Sequence, residues 1–310
     1  MSEPQIQWIA EDPASRAVIE LARKVAETST TLLITGESGT GKDHLARWIH
    51  QKSEQREAPF LKIDCASLPQ ELVESELFGH ERGAFTGAVE RKLGRLEMAG
   101  AGTIVLDEVA ALSPATQSKL LRVLEERKFE RLGGTETLSI DARLMALTNA
   151  DLAQLVSAGG FREDLFFRFS VLTIRVPPLR ERRADILPLA DALLARLAPV
   201  HGRPGAALTE ASRRLLTEYA WPGNVRELKN AVERALVFSD GAELEPADFP
   251  ESVRAADKGL GAALRSLEEI ERDAIRATLE AMRYKISKSA EILGISRKTL
   301  LDKRKKYGLS

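Results

Sequence analysis

Residues 31–43 read TLLITGESGTGKD, a short apolar run followed by a glycine-rich loop and a lysine. Glycine adopts the tight backbone conformations that such a loop needs, so its N–H groups can converge on phosphate oxygens. A helix that starts directly after the loop adds partial positive charge, and the Lys42 ammonium neutralises the outer phosphates. The stretch therefore predicts a strand, a phosphate-binding loop and a helix. The residues expected to bind nucleotide are Gly36, Glu37, Ser38, Gly39, Thr40, Gly41, Lys42 and Asp43.

Apolar, β-branched segments alternate with amphipathic ones through the first 175 residues. Strand and helix in alternation predict an α/β fold with a parallel sheet flanked by helices. After residues 177–178, both proline, the pattern becomes all-helical through about Phe249. The predicted strands are Thr31–Thr35, Phe60–Asp64, Thr103–Asp107, Leu144–Thr148 and Val171–Arg175, and the predicted helices between them include His44–Lys52 and Gln117–Arg127.

Two acidic residues, Asp107 and Glu108, follow the apolar residues of the third predicted strand. Downstream of a phosphate loop, one such carboxylate can hold Mg²⁺ and the next can take a proton from an attacking water. We assign the metal to Asp107 and the proton to Glu108. Asp43 stands where a serine or threonine normally binds Mg²⁺, so the ion must depend more on Asp107. The prediction is nucleotide hydrolysis.

The composition is that of a globular protein with a sizeable core, with 44% hydrophobic and 29% charged residues among 310. The single cysteine excludes an internal disulfide framework, and the four histidines lack metal-ligand spacing, which disfavours zinc. The sequence has neither a secretory signal pattern nor an apolar run long enough to span a bilayer. These features predict a cytoplasmic protein.

The charge is concentrated at the C-terminus. Residues 285–306 carry eight basic and two acidic side chains, although the whole chain has a net charge of −1. A basic tail on an acidic body predicts that the tail contacts nucleic acid, and a solvated helix surface is the alternative.

The tail has the pattern of a helix-turn-helix, with helices over Lys288–Leu293 and Arg297–Lys306. Gly294 permits the turn and Ser296 is a good N-cap for the second helix. The expected small core is Ala290, Leu293, Ile295 and Leu300, and the expected DNA-binding residues are Lys288, Arg297, Lys298, Thr299, Lys303 and Arg304. A basic helical hairpin for oligomer contacts remains the alternative. A looser stretch, 251–265, predicts a linker, and Ser266 with Glu269 predicts a capping box that starts a further helix.

Residues 83–88 read GAFTGA, directly after ELFGHER. This hexapeptide resembles the loop that defines the sigma-54-dependent transcriptional activators, a family of AAA+ ATPases. Six specified residues match by chance on the order of once in ten million positions. The resemblance covers about residues 8–250 and resumes in the tail, which is similar to that of the nucleoid protein Fis. It implies that the sigma factor is contacted by Gly83, Ala84, Phe85, Thr86, Gly87 and Ala88.

Further segments resemble motifs of this family. Residues 131–134 look like its second surface loop, and Asn149 matches sensor I, which responds to the γ-phosphate. Arg162 and Arg168 match the arginine fingers that reach a neighbouring subunit's nucleotide, and Arg226 matches sensor II of the helical lid. The resemblance therefore implies ATP and Mg²⁺ as ligands.

Two positions depart from the family pattern. Asp43 replaces the usual glutamate, and Asp64 stands where many members have an asparagine that hydrogen bonds to the catalytic glutamate. An ionised aspartate accepts hydrogen bonds but cannot donate them, and it repels a nearby carboxylate. Our hypothesis places Asp64 among the catalytic residues, acting on Glu108 through a water molecule or a shared proton.

The resemblance implies an AAA+ α/β subdomain over 1–175, an all-α lid over 176–250, a linker over 251–265 and a helix-turn-helix domain over 266–310. Its implied partners are the sigma-54 RNA polymerase holoenzyme, upstream enhancer DNA, further copies in a hexameric ring and, as in short members without a receiver domain, a regulatory protein acting in trans. A DNA-binding repressor with a vestigial ATPase is disfavoured by the intact hexapeptide and arginine fingers. A different AAA+ remodeller, such as a clamp loader or unfoldase, does not explain the hexapeptide together with the helix-turn-helix.

Overall fold

The structure is a computed structural model that describes residues 8–255, 267–282 and 284–308. The chain divides into two compact units, Met1–Pro250 and Glu251–Ser310. No helix within the described ranges is long and apolar enough to cross a membrane.

The first unit is built on a parallel sheet of five strands. The strands are β1 (Leu32–Thr35), β2 (Phe60–Asp64), β5 (Thr103–Asp107), β8 (Arg143–Thr148) and β9 (Leu172–Arg175). Their order in the sheet is β2-β5-β8-β1-β9, with every neighbouring pair parallel. All five predicted strands are confirmed, with three starting points shifted by one residue.

Helices cover both faces of this sheet. Along β5, Ile104 and Leu106 pack into one hydrophobic cluster, whereas Val105 packs into the other. Alternate side chains of a strand point to opposite faces, so a strand buried on both sides must be apolar throughout. The helices of this layer are α1 (Pro13–Ala26), α2 (Lys42–Lys52), α3 (Gln70–Phe78), α4 (Arg95–Met98), α5 (Pro114–Glu126), α6 (Leu152–Ser157) and α7 (Glu163–Phe169).

Two predicted helices begin earlier than the apolar periodicity indicated. Helix α2 starts at Lys42, and α5 starts at Pro114 rather than Gln117. The Ser113 side chain accepts a hydrogen bond from the backbone N–H of Thr116, and proline at the first helical position has a φ angle that suits the helix. These local signals, and not burial, set the start of α5.

Two short hairpins leave the sheet and carry loops. Strands β3 (Gly79–His80) and β4 (Lys92–Leu93) pair antiparallel around residues 81–91, and β6 (Lys128–Glu130) and β7 (Thr137–Ser139) pair around residues 131–136. A bridge between His80 and Leu132 connects the two hairpins.

The lid contains three helices, α8 (Ile186–Leu197), α9 (Glu210–Glu218) and α10 (Asn224–Phe238). The prediction of an all-α lid needs one addition, because Ala207–Leu208 (β10) and Glu243–Leu244 (β11) form a short parallel pair.

Residues 251–255, expected to begin the linker, are helical, and Val253 is fully buried. A buried apolar side chain stabilises this last turn although the alanines and glycines that follow predict flexibility. The rest of the expected linker and Ser266 of the predicted capping box lie outside the described residues.

The second unit contains α11 (Leu267–Ala281), α12 (Ile286–Ile292) and α13 (Arg297–Lys306). Ala290 and Leu300 are buried with Ile275 and Leu279 of α11, and Leu293 and Ile295 pack against them. The predicted small core is therefore confirmed, with α11 supplying its other half.

Candidate functional site

The phosphate loop connects the end of β1 to the start of α2. Gly39 has a φ angle of 78°, and a Cβ atom added there would lie 2.4 Å from the carbonyl oxygen of Gly223. No side chain fits at that position. Lys42 is buried, and its Nζ donates hydrogen bonds to the carbonyl oxygens of Gly36 (2.8 Å) and Glu37 (3.2 Å). Burial lowers the pKa of Lys42, and Glu108 and Asp107 partly oppose that shift.

Glu108 lies between the phosphate loop and the end of β8. Its carboxylate is 3.8 Å from Nζ of Lys42 and accepts a hydrogen bond of 3.1 Å from the backbone N–H of Asn149. Its φ angle of 54° is unusual for a residue with a side chain. Strained conformations of this kind persist where the surroundings hold the residue in one position. Glu108 therefore contacts both Lys42 and Asn149, and the three residues were predicted from separate motifs.

Asp107 has a partner that sequence reasoning missed. Nζ of Lys62, on β2, is 2.6 Å from Oδ2 of Asp107 and 3.8 Å from Oδ2 of Asp43. Burial lowers the pKa of Lys62, but Asp107, Asp43 and Asp64 raise it by more. No local sequence pattern indicates this pair, because it depends on β2 lying next to β5 in the sheet.

The Asp64 carboxylate accepts hydrogen bonds from the turn that follows β2. One carboxylate oxygen accepts hydrogen bonds from the backbone N–H groups of Ala66 (3.0 Å) and Ser67 (3.1 Å). Among the described residues it forms no hydrogen bond with Glu108. The geometry therefore argues against the shared-proton form of our hypothesis, because that form requires the two carboxyl groups to touch. The water-mediated form stays a prediction.

The start of α10 lies on the phosphate loop. Arg226 donates a hydrogen bond of 2.7 Å to Oγ of Ser38, and the backbone N–H of Val225 donates one of 3.0 Å to the carbonyl of Gly39. The buried Asn224 amide donates to the carbonyl of Ser38 (3.1 Å) and to the Glu37 carboxylate (3.2 Å). Predicted sensor II therefore contacts the predicted nucleotide site.

Two arginines of the segment PLRER complete this contact, and neither was predicted. Both terminal nitrogens of Arg180 donate to the Glu37 carboxylate, at 2.6 and 2.8 Å. These hydrogen bonds, with one from Asn224, lower the pKa of Glu37 to about 2. The buried Arg182 donates a hydrogen bond of 2.7 Å to the carbonyl of Thr40. The cluster of charges directly after the two prolines was the available signal.

The hexapeptide forms a closed turn on the first hairpin. The backbone N–H of Gly83 donates to the carbonyl of Ala88 at 2.8 Å. Thr86 is exposed, and Phe85 is 40% exposed with its ring packed edge-on against His80, 5.0 Å between centroids. An apolar ring and a hydroxyl group are thus presented to solvent at the tip.

A buried arginine holds the base of this turn. Arg131 of the second loop is 4% exposed and donates to the carboxylates of Glu97 (2.7 and 2.9 Å), Glu81 (2.9 Å) and Glu136 (2.9 Å). Hydrogen bonds from Arg131 lower the pKa of Glu97. Because Glu81 precedes the hexapeptide and Glu97 follows it, one guanidinium of the predicted second surface loop connects to both flanks of the hexapeptide turn.

The predicted arginine fingers are exposed and lie on either end of α7. Arg162 bonds to Asp164 (2.8 and 3.1 Å) and Ser118 (3.1 Å), and Arg168 bonds to Glu125 (3.1 and 3.2 Å). The structure does not bring either of them to the phosphate loop of the same chain. Their place on the surface is compatible with a role in a second copy.

One of the residues predicted to bind DNA, Lys303, already has a partner within the chain. Ser296 caps α13 by accepting a hydrogen bond from the N–H of Thr299, as predicted, and Lys288, Arg297 and Lys298 are exposed. Lys303, however, forms an ion pair with Glu271 of α11, to which the Tyr307 hydroxyl also donates. Lys303 lies three residues after the buried Leu300, on the same face of the helix, and therefore points toward α11. Thr299 and Arg304 are partly buried.

Three family models match consecutive parts of the chain. They are a sigma-54 interaction domain over residues 8–175, an AAA+ ATPase lid domain over 180–265 and a bacterial regulatory protein of the Fis family over 266–307.

Known regulators are similar to the chain over nearly all of its length. The transcriptional regulatory protein FlbD of Caulobacter vibrioides is 42% identical over 325 residues, which cover 99% of this chain and 71% of FlbD. The transcriptional regulatory protein ZraR of Klebsiella oxytoca is 46% identical, covering 96% of this chain and 68% of ZraR. NtrX from Brucella abortus, whose crystal structures were determined with ADP and with ATP, is 34% identical in sequence to this chain. The ADP complex has a TM-score of 0.76, and the match covers 99% of this chain and 70% of the NtrX chain. The ATP complex has a TM-score of 0.75, with 98% of this chain and 69% of the NtrX chain covered.

Proposed function

This chain belongs to the sigma-54-dependent transcriptional activators of the AAA+ class, and from that premise we propose that it hydrolyses ATP in a ring to remodel sigma-54 RNA polymerase from the closed to the open promoter complex. One observation carries the proposal. A phosphate loop, an acidic strand end and a lid surround one site, and the same unit presents an exposed GAFTGA turn.

The residues around the phosphate loop divide the hydrolytic work. Lys42 and the loop N–H groups bind the phosphates, because the loop leads directly into the N-terminus of α2. Glu108 takes the proton of the attacking water, and its bond from the Asn149 N–H keeps its carboxylate directed at the site. Asn149 and Arg226 respond to the nucleotide's phosphates from β8 and from the lid.

The acidic strand end fits a divalent cation. Carboxylates from two elements, Asp107 and Asp43, converge on one ammonium group, that of Lys62. Oxygen atoms of this kind are the ligands that Mg²⁺ prefers, so Asp107, with Asp43 beside it, would hold the ion. A bound Mg²⁺ neutralises charge on the phosphates.

Assembly completes the site in this proposal. Arg162 and Arg168 leave Asp164 and Glu125 and reach the nucleotide of the next subunit, where they stabilise the charge of the transition state. The expected ring is a hexamer. Because a neighbour supplies the two arginines, hydrolysis depends on protein concentration.

Hydrolysis then moves the GAFTGA turn, whose Phe85 and Thr86 engage the sigma factor. Residues 266–310 bind upstream enhancer DNA. Residues 1–175 form the ATPase core, residues 176–250 form its lid, and residues 251–265 form the linker. With these proposed partners, the protein is expected in the cytoplasm. A regulatory protein acting in trans stays a prediction.

Phosphate release by the purified full chain tests the hydrolytic part. The wild type is expected to hydrolyse ATP, and Glu108→Gln to bind a fluorescent ATP analogue normally but to hydrolyse about a hundredfold more slowly, because the proton acceptor is lost. Glu90→Gln, at an exposed position outside the site, is the matched control. An assembled wild type that releases no phosphate, or a Glu108→Gln variant as fast as wild type, would contradict the assignment.

Binding to a short DNA duplex at several salt concentrations tests the C-terminal part. Lys298→Gln is expected to weaken binding and to reduce the salt dependence by about one counterion, because an exposed lysine contacts phosphate. Lys303→Gln is expected to leave that slope unchanged, because Lys303 is paired with Glu271. The reverse pattern would show that Lys303 leaves its pair to bind DNA.

A further inference from the structure

A lysine occupies the point where two carboxylates of the nucleotide site converge. Nζ of Lys62 is 2.6 Å from Asp107 and 3.8 Å from Asp43. The two aspartates come from the end of β5 and the first turn of α2, and Lys62 lies within 4 Å of both carboxylates. The protein's own Lys62 ammonium group therefore already occupies the point where the two carboxylates converge.

The pair is open enough to exchange. The side chain of Lys62 is 32% exposed and that of Asp107 is 17% exposed. A lysine has a flexible four-carbon stem and a strongly hydrated ammonium group, so it can move into solvent when another cation takes its carboxylate.

We propose that Lys62 competes with the divalent cation for Asp107 and Asp43, and thereby sets the Mg²⁺ concentration at which this protein binds nucleotide. The inference rests on the proposed ATPase function and assigns a positioning role to a residue that no motif identified.

The local charge gives the direction of the effect. Four carboxylates, those of Asp43, Asp64, Asp107 and Glu108, lie around the strand ends, against the ammonium groups of Lys42 and Lys62 and the guanidinium of Arg226. Removal of the Lys62 charge makes this cluster more negative. The cluster then attracts Mg²⁺ more strongly and repels metal-free nucleotide more strongly. Loss of the Lys62 charge is therefore expected to strengthen Mg²⁺ binding but to weaken the binding of metal-free nucleotide. Loss of a residue that only binds phosphate would weaken nucleotide binding with or without Mg²⁺.

Binding of a fluorescent ADP to the full-length chain, measured by anisotropy during a Mg²⁺ titration, tests the proposal without requiring turnover. For Lys62→Gln, half-maximal binding is expected at about fivefold lower Mg²⁺ than for wild type, as for a partly exposed ion pair worth about 1 kcal/mol. In EDTA, its affinity for ADP is expected to be lower than that of the wild type. Lys62→Arg keeps the positive charge and is expected to restore a wild-type requirement for Mg²⁺.

Lys128→Gln removes the same charge at an exposed site on β6 and is expected to match wild type. If Lys62→Gln needs the same Mg²⁺ as Lys128→Gln, the competition does not exist. If it binds ADP more weakly even at saturating Mg²⁺, Lys62 is a phosphate ligand and the proposal fails. A wild type that binds no ADP at any Mg²⁺ concentration would instead overturn the proposed function.

Discussion

Two glycine-bounded loops of the first unit, residues 36–41 and residues 83–88, have opposite surroundings. In the phosphate loop, every residue from Glu37 to Thr40 hydrogen bonds to the lid segment 180–226. In the GAFTGA turn, a Cβ atom added at Gly83 or Gly87 would meet nothing within 4 Å. The first loop is crowded by backbone, whereas the space around the two glycines of the second is open.

The difference separates two uses of glycine. Gly39 is needed because another backbone occupies the space of its side chain, whereas Gly87 is needed only for its φ angle of 105°. A crowded loop keeps its shape and passes any displacement to the lid that it contacts. An open turn can change its position at low cost, as a loop that must engage and release a partner requires.

Replacing Gly39 and Gly87 by alanine is expected to give the largest difference between the two loops. Gly39→Ala is expected to destabilise the first unit by about 3 kcal/mol, because a clash with backbone adds to a left-handed conformation, and to lower ADP affinity about a hundredfold. Gly87→Ala is expected to cost about 1 kcal/mol and to leave ADP binding unchanged. Urea denaturation and nucleotide titration of both variants measure this. Equal losses of nucleotide affinity would show that the surroundings do not matter.

The base of the open turn provides the second test. Arg131→Met leaves the carboxylates of Glu81 and Glu97 without their buried partner and is expected to destabilise the first unit by about 3 kcal/mol. Arg91→Met, at a half-exposed arginine 3.8 Å from the same two carboxylates, is expected to cost less than about 1 kcal/mol. Urea midpoints of the two variants decide between them. A loss for Arg91→Met as large as that for Arg131→Met would remove the distinction between a buried and an exposed partner.

Removal of the ion pair between Arg180 of the lid and Glu37 of the phosphate loop is expected to have the smallest effect. Arg180→Gln is expected to raise the KM for ATP about threefold with little change in kcat, because an exposed ion pair contributes modestly. The pKa of Glu37 is lowered to about 2, so its contribution is complete above the ordinary carboxyl pKa of 4.5 and is lost only as pH falls toward 2. The ratio of variant to wild-type KM is therefore expected to be constant from pH 8 to pH 6. A ratio that changes over this range would mean that a different group titrates in the contact.

The sequence predicted what depends on neighbours along the chain. The phosphate loop, the five strands and the cap at Ser296 each follow from a local pattern of glycine, apolar residues or a capping side chain. The hexapeptide was identified by resemblance, and its six residues lie together for the same local reason.

Contacts across the fold could not be predicted in this way. Arg180 and Glu37 are 143 residues apart, and their pairing depends on where the lid meets the loop. Lys62 meets Asp107 because β2 neighbours β5, a sheet order that strand patterns alone do not fix. The pairing of Lys303 with α11 was within reach, because a residue three positions after a buried leucine shares its helix face.

Promoter opening by sigma-54 RNA polymerase, measured by reactivity of unpaired bases on one template, tests most directly whether hydrolysis drives the turn. Wild type with ATP is expected to open the promoter. Thr86→Ala is expected to hydrolyse ATP at the wild-type rate without opening it. Glu108→Gln is expected to hydrolyse ATP about a hundredfold more slowly and not to open the promoter. Opening by Thr86→Ala at the wild-type level, or ATP hydrolysis by the wild type that never opens a sigma-54 promoter, would contradict the account.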